Sequence, residues 1–375
     1  MNRVTIDLSI LRSNVRRISA IMAEHGATWS LVTKVLCGHP ATMRAISQLG
    51  LDSLGDSRLA NLESAAAEAP DMTRWYLRPP AVSAAREIVD LAHVSLVTEL
   101  DALDVLDRYA GRRGVMHRVI VMVEVGELRE GVLPSALIAF ARRAVSLRNL
   151  EILGVGANIG CLSGTIPTIE QLSPLPLYRK LIELEFGLPV PYVSAGSSIV
   201  LSALLQGNVP DGVNHYRIGE AAFLGTDLLR GGRLDGLENA FTIEAEIVEI
   251  GEKNLVPLGE ISEDVAPFGT GPERDTHPGE RAHRALVGIG QLDTEVNGLT
   301  PIDPEHHVAG ASSDIAVVSL GTNRSGLTVG DTIRFRPDYS AVARAMNSRY
   351  LKREVINAED SAGGISLAES APARP

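Results

Sequence analysis

Apolar positions in the first part of the chain follow two alternating patterns. In one they recur every three or four residues, which predicts helices. Leu11, Val15, Ile18 and Ile21 or Met22 mark a helix over Leu11–Ala23, with Asp7 and Ser9 ahead of it as cap candidates. In the other they form short continuous runs, which predict buried strands. The first such run, Trp29-Ser-Leu-Val-Thr-Lys34-Val-Leu-Cys37-Gly38, reads as a strand that ends at Gly38 with Lys34 in its middle. Helices are then predicted over Pro40–Leu49, Ser57–Glu68, Ser83–Leu91, Glu99–Tyr109, Ser135–Ser146, Leu177–Phe186 and Ile199–Leu205. Strands fall between them at Leu51–Gly55, Trp75–Arg78, Val94–Val97, His117–Val125, Leu153–Gly156, Tyr192–Ser194 and His215–Arg217. Runs that are apolar throughout belong to a parallel sheet covered on both faces. About eight such units in roughly 230 residues fit a closed, TIM-like (β/α)8 barrel.

Past Gly225 the pattern changes. Phe241-Thr-Ile-Glu-Ala-Glu-Ile-Val-Glu-Ile250 alternates apolar and polar residues, as a half-buried antiparallel strand does. Short strands follow around Arg284–Gly288, Val308–Ala309, Ile315–Val318 and Thr332–Arg336, separated by Gly, Pro and Asp. The reading is an α/β barrel over residues 1–230, a C-terminal all-β domain over 231–357, and a disordered tail over 358–375 rich in Ala, Ser, Gly, Glu and Pro.

Composition narrows the function. A formal net charge of −11 over 375 residues argues against a nucleic-acid partner, which calls for a basic face. No run reaches the ~18 consecutive apolar residues of a membrane span. The N-terminus has no apolar signal core. Two cysteines, Cys37 and Cys161, are too few for a disulfide framework, so the expected location is the cytoplasm.

In a barrel of this kind the chemistry sits at the C-terminal strand ends. Lys34 stands at one. A lysine on a buried strand is a candidate for a depressed pKa, and a neutral amine attacks an aldehyde; the alternative is a strand-end amine that snorkels to solvent. Gly55-Asp56-Ser57-Arg58 reads first as a helix cap. Arg129, in Glu124-Val-Gly-Glu-Leu-Arg129-Glu-Gly131, brings a cation to the rim or lies on the surface. Asn158 and Cys161 follow another strand; a cysteine there is more often a small inert residue than a reactive one. Ser194-Ala-Gly-Ser197-Ser198 opens a helix and offers an anion site, although serine-rich helix starts are common. Arg217 and Gly219 end the last strand, where a buried arginine needs acceptors. There is no metal-ligand spacing and no Walker or dinucleotide motif. Pyridoxal phosphate calls for this combination: an amine for its aldehyde, a cradle for its phosphate and a partner for its ring nitrogen.

These residues, in this order, resemble the fold-type III, alanine-racemase-like pyridoxal phosphate enzymes, and within them the ornithine racemase branch. The resemblance runs from Ile6 to about Tyr350. It rests on Ile6-Asp7-Leu8 with Asn14, Val32-Thr-Lys34-Val-Leu-Cys37-Gly, Gly55-Asp-Ser-Arg-Leu59 with Asn61, and Val123-Glu-Val-Gly-Glu-Leu-Arg129-Glu-Gly. It continues through Asn158 with Cys161, Asn214-His-Tyr-Arg217-Ile-Gly-Glu, Gly310-Ala-Ser-Ser-Asp314, and Tyr339 with Ala345-Met346. It implies an amino-acid racemase that acts as a homodimer with shared active sites. Lys34 would bind the cofactor and act as one of two proton-transfer bases. Arg217 would meet the pyridine nitrogen and keep it unprotonated, which suits racemisation and argues against the related decarboxylases. Ser197 or Ser198, Gly219 and Tyr339 would hold the phosphate, and Asn158 would lie against the ring. Arg129, with Ser313 and Asp314, would contact the substrate.

One segment departs from the pattern. Alanine racemases carry their opposite-face tyrosine where this chain reads Gly288-Ile-Gly-Gln-Leu-Asp293, and the ornithine branch usually has an arginine where Gln291 stands. The expectation for the second base is Asp293 of the partner subunit, with Cys161 next. The substrate class expected is a basic amino acid such as ornithine or lysine. A catalytically altered carrier or regulatory homologue is the alternative. A metal-assisted aldolase is disfavoured, since adjacent His306 and His307 on a strand point to opposite faces.

Overall fold

A computed structural model describes residues 2–259 and 277–357. The tail from Ala358 lies outside the described residues. In chain order the elements are β1 (Arg3–Asp7), α1 (Leu8–Glu24), β2 (Thr28–Val32), α2 (Pro40–Ile46), β3 (Ser53–Asp56), α3 (Leu59–Glu68), β4 (Thr73–Tyr76) and α4 (Ala85–Leu91). There follow β5 (Val94–Val97), α5 (Leu100–Arg113), β6 (His117–Met122), α6 (Leu137–Ser146), β7 (Leu150–Ala157), α7 (Ile169–Leu172), α8 (Pro174–Phe186), β8 (Tyr192–Ala195), α9 (Ser198–Leu205), β9 (His215–Ile218) and α10 (Glu220–Leu224). The remainder is β10 (Phe241–Asn254), β11 (Arg281–Val287), β12 (Leu299–Pro301), β13 (His307–Ala311), β14 (Ala316–Ser319), β15 (Thr332–Pro337), α11 (Tyr339–Asn347) and β16 (Lys352–Ile356).

Strands β2 to β9 pair in sequence order, all parallel, and β2 pairs with β9 to close the barrel. This is the (β/α)8 barrel expected from the continuous apolar runs. α1 buries Leu11, Val15, Ile18, Ile21 and Met22, the stripe its spacing predicts. Its start is capped by Asp7, whose Oδ1 accepts the N–H groups of Ser9 (2.8 Å) and Ile10 (3.2 Å). Inside the barrel, Trp75, Val94, Leu96, Ile120 and Met122 form one buried cluster.

The other strands build one antiparallel-rich sheet in the order β12-β15-β10-β11-β14-β13, with β1 paired to both β10 and β16. Along β10, residues 241–247 alternate buried and half-buried, as their sequence does. The chain divides into two compact units: Ser13–Asn239, and the first twelve residues grouped with those from Ala240 onward. The N-terminus therefore departs from the expected 1–230 boundary. Arg3–Asp7 finds its partners in strands near residues 241 and 352, a pairing that no local pattern reveals. The β unit also contains a helix, α11, capped by the Asp338 carboxylate on Ala341 N–H (2.8 Å). No helix among the described residues is long and apolar enough to cross a membrane.

Candidate active site

β2 stops at Val32, earlier than its apolar run suggested. Thr33 still pairs with β3, its N–H donating to Gly55 O (2.9 Å), and then Lys34–Leu36 form a single 3-10 turn. Val35 and Leu36 fill the core beneath this turn, so Lys34 faces outward and its side chain is exposed. This corrects the expectation of a lysine within a buried strand. The turn has a brace. Thr33 Oγ1 donates to Asp56 Oδ2 (3.0 Å), while Asp56 Oδ1 accepts from Arg58 N–H (3.0 Å) and Asn61 Nδ2 (3.1 Å). Asp56 is thus not the cap of α3, whose N-cap is Arg58. Burial pushes its carboxyl above the usual carboxylate range, against the pull of these donors.

The loop after β6 is folded around Glu124, which accepts the N–H groups of Gly126 (2.5 Å), Leu128 (3.2 Å) and Arg129 (3.2 Å). It closes at Gly131, whose φ is +156° and where a Cβ would lie 2.3 Å from Glu124 N; only glycine fits. The loop carries Arg129, paired with Glu130. Glu130 in turn accepts from Asn158 Nδ2, and Asn158 Oδ1 accepts from Arg217 Nη2 (2.6 Å). Four side chains from three strand ends thus form one chain: Arg129, Glu130, Asn158, Arg217. Burial opposes the charge of Glu130, but the Arg129 guanidinium outweighs it and holds the carboxyl below its usual range. Glu130 stood in the sequence motif, but a local reading saw only the arginine beside it. Its partner is 28 residues away.

The loop after β7 is tied down by Glu127, which is buried. Its carboxylate accepts the N–H groups of Gly160 (2.9 Å) and Leu162 (2.6 Å). Cys161 lies between these anchors. Its thiol is exposed, 3.8 Å from Ser197 Oγ, and close enough to Arg129 and Arg217 to act on both electrostatically. At the next strand end Gly196 (φ +72°) makes the turn into α9; a Cβ there would meet Val200 Cγ2 at 2.4 Å. Ser197 stands at the N-cap position of α9 without a capping hydrogen bond from its side chain, and the Ser198 hydroxyl accepts the N–H groups of Gly219 (3.3 Å) and Ala221 (3.1 Å). The two predicted cradles are therefore joined through Ser198.

Arg217 is almost completely buried. Nη1 donates to Ser194 O (2.9 Å) and Ser194 Oγ (2.5 Å), and Nη2 to Ala157 O (2.8 Å) and Asn158 Oδ1 (2.6 Å). All four bonds come from the terminal nitrogens, and Nε–H has no acceptor among the described residues. Burial lowers its pKa to about 10, which leaves it a cation at neutral pH. The other predicted site residues belong to the second unit. Asp293 is buried, with Oδ2 accepting from Gly290 N–H (3.1 Å) and Oδ1 from Ser348 Oγ (3.5 Å). Ser313 donates to Asp314 (3.0 Å), and Tyr339 opens α11.

Comparison with known proteins decides the family. Residues 6–227 match the model of the alanine racemase N-terminal domain. An ornithine racemase of Acetoanaerobium sticklandii is 33% identical over 358 residues, which cover 94% of this chain and 99% of that one. The chain belongs to the alanine racemase family. A lysine racemase of Thermotoga maritima is 34% identical over 355 residues, 94% of this chain and 97% of its own. The alanine racemase of Streptomyces coelicolor shares the fold, with a TM-score of 0.73 at 21% identity over 95% of this chain and 98% of that one.

The protein is an amino-acid racemase. Among proteins of the same fold, the alanine racemase of Bartonella henselae carries covalently bound pyridoxal phosphate. The racemase site fits that cofactor on the observations above. Arg217 carries an unpaired N–H on a buried cation, Lys34 carries an exposed amine on the same barrel end, and α9 opens with two hydroxyls. Lys34 would hold its aldehyde carbon, Arg217 its ring nitrogen, and Ser197 and Ser198 its phosphate. Bound there, the cofactor supplies an electron sink that acidifies the Cα–H of an amino acid.

Proposed function

We propose that this racemase inverts a basic amino acid, ornithine or lysine. The observation that carries the reading is Arg217, a buried cation whose one uncommitted N–H suits a ring nitrogen that stays unprotonated. Held by Arg217 at that nitrogen, the cofactor would be a moderate electron sink, which would favour return of a proton to Cα over other reactions. The substrate class rests on the two relatives matched along nearly their whole length, which are racemases of ornithine and of lysine.

In this reading Arg129, braced by Glu130, positions the substrate carboxylate. Lys34 moves the proton on one face of Cα. Cys161 takes the other face: it lies exposed on the barrel rim beside Arg129, and its thiol is a group that can give and take a proton. Asp293 of a partner subunit ranks second, because both of its oxygens are engaged within its own unit. Tyr339 would add a phosphate contact, and Ser313 and Asp314 contacts to the substrate. The working form is a cytoplasmic homodimer with shared sites.

The test is α-proton exchange in heavy water. The cofactor-loaded protein is given L-ornithine, L-lysine, L-arginine, L-alanine and L-serine, and followed by NMR with chiral analysis. Deuterium at Cα with accumulation of D-ornithine or D-lysine is the expected result. Exchange without inversion would leave only the Lys34 face working. Inversion of alanine or serine in preference would overturn the substrate class.

A further inference from the structure

Arg217 is held from inside the barrel by residues that play no part in the reading above. Ser194 Oγ, which accepts from Arg217 Nη1, lies 2.9 Å from His215 Nδ1. His215 Nε2 lies 3.2 Å from Ser30 Oγ, and Ser30 Oγ lies 2.7 Å from Ser53 Oγ. All these groups are buried. The His215 ring is stacked on Trp75, with centroids 4.5 Å apart and planes within 6°. The line runs through the strand interiors of β9, β8, β2 and β3.

Its direction follows from hydrogen-bond inventory. A guanidinium only donates. Ser194 Oγ therefore spends an acceptor position on Arg217, and its own O–H is left with His215 Nδ1 as acceptor. That makes Nδ1 the bare nitrogen and Nε2 the one that carries the proton. Nε2–H then donates to Ser30 Oγ, and Ser30 O–H to Ser53 Oγ. Any other arrangement leaves a buried hydroxyl proton or ring nitrogen unpaired, which is costly. The same arrangement keeps the imidazole neutral, so Arg217 is the single cation in this line.

We propose that His215 is a positioning residue which, through Ser194, fixes the Arg217 guanidinium in one orientation with its Nε–H presented to the cofactor ring. The proposal rests on the reading of Arg217 given above. Without His215 the Ser194 hydroxyl must turn to find another acceptor, and one of the four bonds that hold Arg217 goes with it.

Two measurements test this. The first is the His215 tautomer, read by long-range 1H–15N NMR of the full-length, histidine-labelled protein without cofactor. A neutral ring with its proton on Nε2 is expected at neutral pH, and Ser194→Ala should shift the Nδ1 resonance. A proton on Nδ1, or a charged ring, would overturn the proposal. The second uses the holoenzyme and the variants His215→Phe, which keeps a ring against Trp75, Ser194→Ala and Ser194→Thr. The first two should move the pH at which the bound-cofactor absorbance changes and lower kcat about tenfold with little change in KM. The pair combined should be no worse than either alone, and Ser194→Thr should restore the wild-type profile. A lower melting temperature with an unchanged absorbance profile and kcat would mean a purely structural role and would overturn the proposal. If no cofactor binds to the wild type, the functional reading fails, and the tautomer still decides this one.

Discussion

Glu130 shows how much one side chain can organise. Its carboxylate joins Arg129 on one loop to Asn158 on another, and through Asn158 it touches the coordination of Arg217. Glu130→Gln keeps the shape and the Asn158 contact but removes the charge that steadies Arg129. The expected result is a KM raised about tenfold with kcat less affected, because a loosened Arg129 weakens carboxylate binding in ground and transition states alike. Steady-state kinetics on the preferred substrate check it; an unchanged KM would remove Arg129 from substrate binding. The second base is settled by the same kind of change. Cys161→Ser should keep one-sided deuterium exchange and lose inversion, while Asp293→Asn, where the carboxylate serves its own turn, should mainly lower stability. The reverse pattern would transfer the role to Asp293.

At the level of elements, the position of Lys34 depends on a turn rather than on a strand. Asp56 receives Thr33, Arg58 and Asn61 at once, and replacing it with alanine takes an acceptor from all three, of which Thr33 and Asn61 are buried. A loss of about 1–3 kcal/mol is expected, together with weaker cofactor retention, because the Lys34 turn loses its brace. Denaturant midpoints and cofactor dissociation measured on Asp56→Ala check both, and an unchanged dissociation would mean that the turn holds without it. Barrel strands such as β6 were legible because they are largely apolar runs bounded by polar residues or glycine. By contrast β3, β4 and β9 carry polar residues and were read mainly from the spacing of the helices around them. Lys34, Arg129 and Arg217 were legible as charged residues at or near strand ends. What stayed hidden was non-local. β1 pairs with segments more than 230 residues away, and α11 follows a strand in a domain read as all-β. The end of β2 was misplaced because Val35 and Leu36 are as apolar as strand residues, though they are buried by a 3-10 turn. The Glu130–Asn158 contact and the His215 line join residues on different strands, and spacing along one segment carries no sign of either.

For the whole molecule, the buried histidines set the response to acid. Burial, with Arg217 nearby, lowers the pKa of His215 to about 3; burial lowers that of His117, which pairs with Ser95 Oγ at 2.9 Å, to about 4. Both fall below the 6.5 of an unperturbed histidine. The unfolded chain therefore binds protons that the folded one refuses as pH drops through that value, and stability is lost on going down rather than up. His117 alone accounts for roughly 3 kcal/mol between its unfolded and folded pKa. Asp56 works in the opposite sense, since the folded state holds its proton more tightly than the unfolded chain does, so it offsets part of the loss at the acid end. Urea midpoints followed from neutral pH to about pH 4.5 should fall steadily below the histidine range. His117→Gln, which keeps a hydrogen-bonding group toward Ser95 without the titration, should flatten that slope. A wild-type midpoint that stays level across the window would mean that water reaches these rings and that the barrel interior is less closed than its packing indicates.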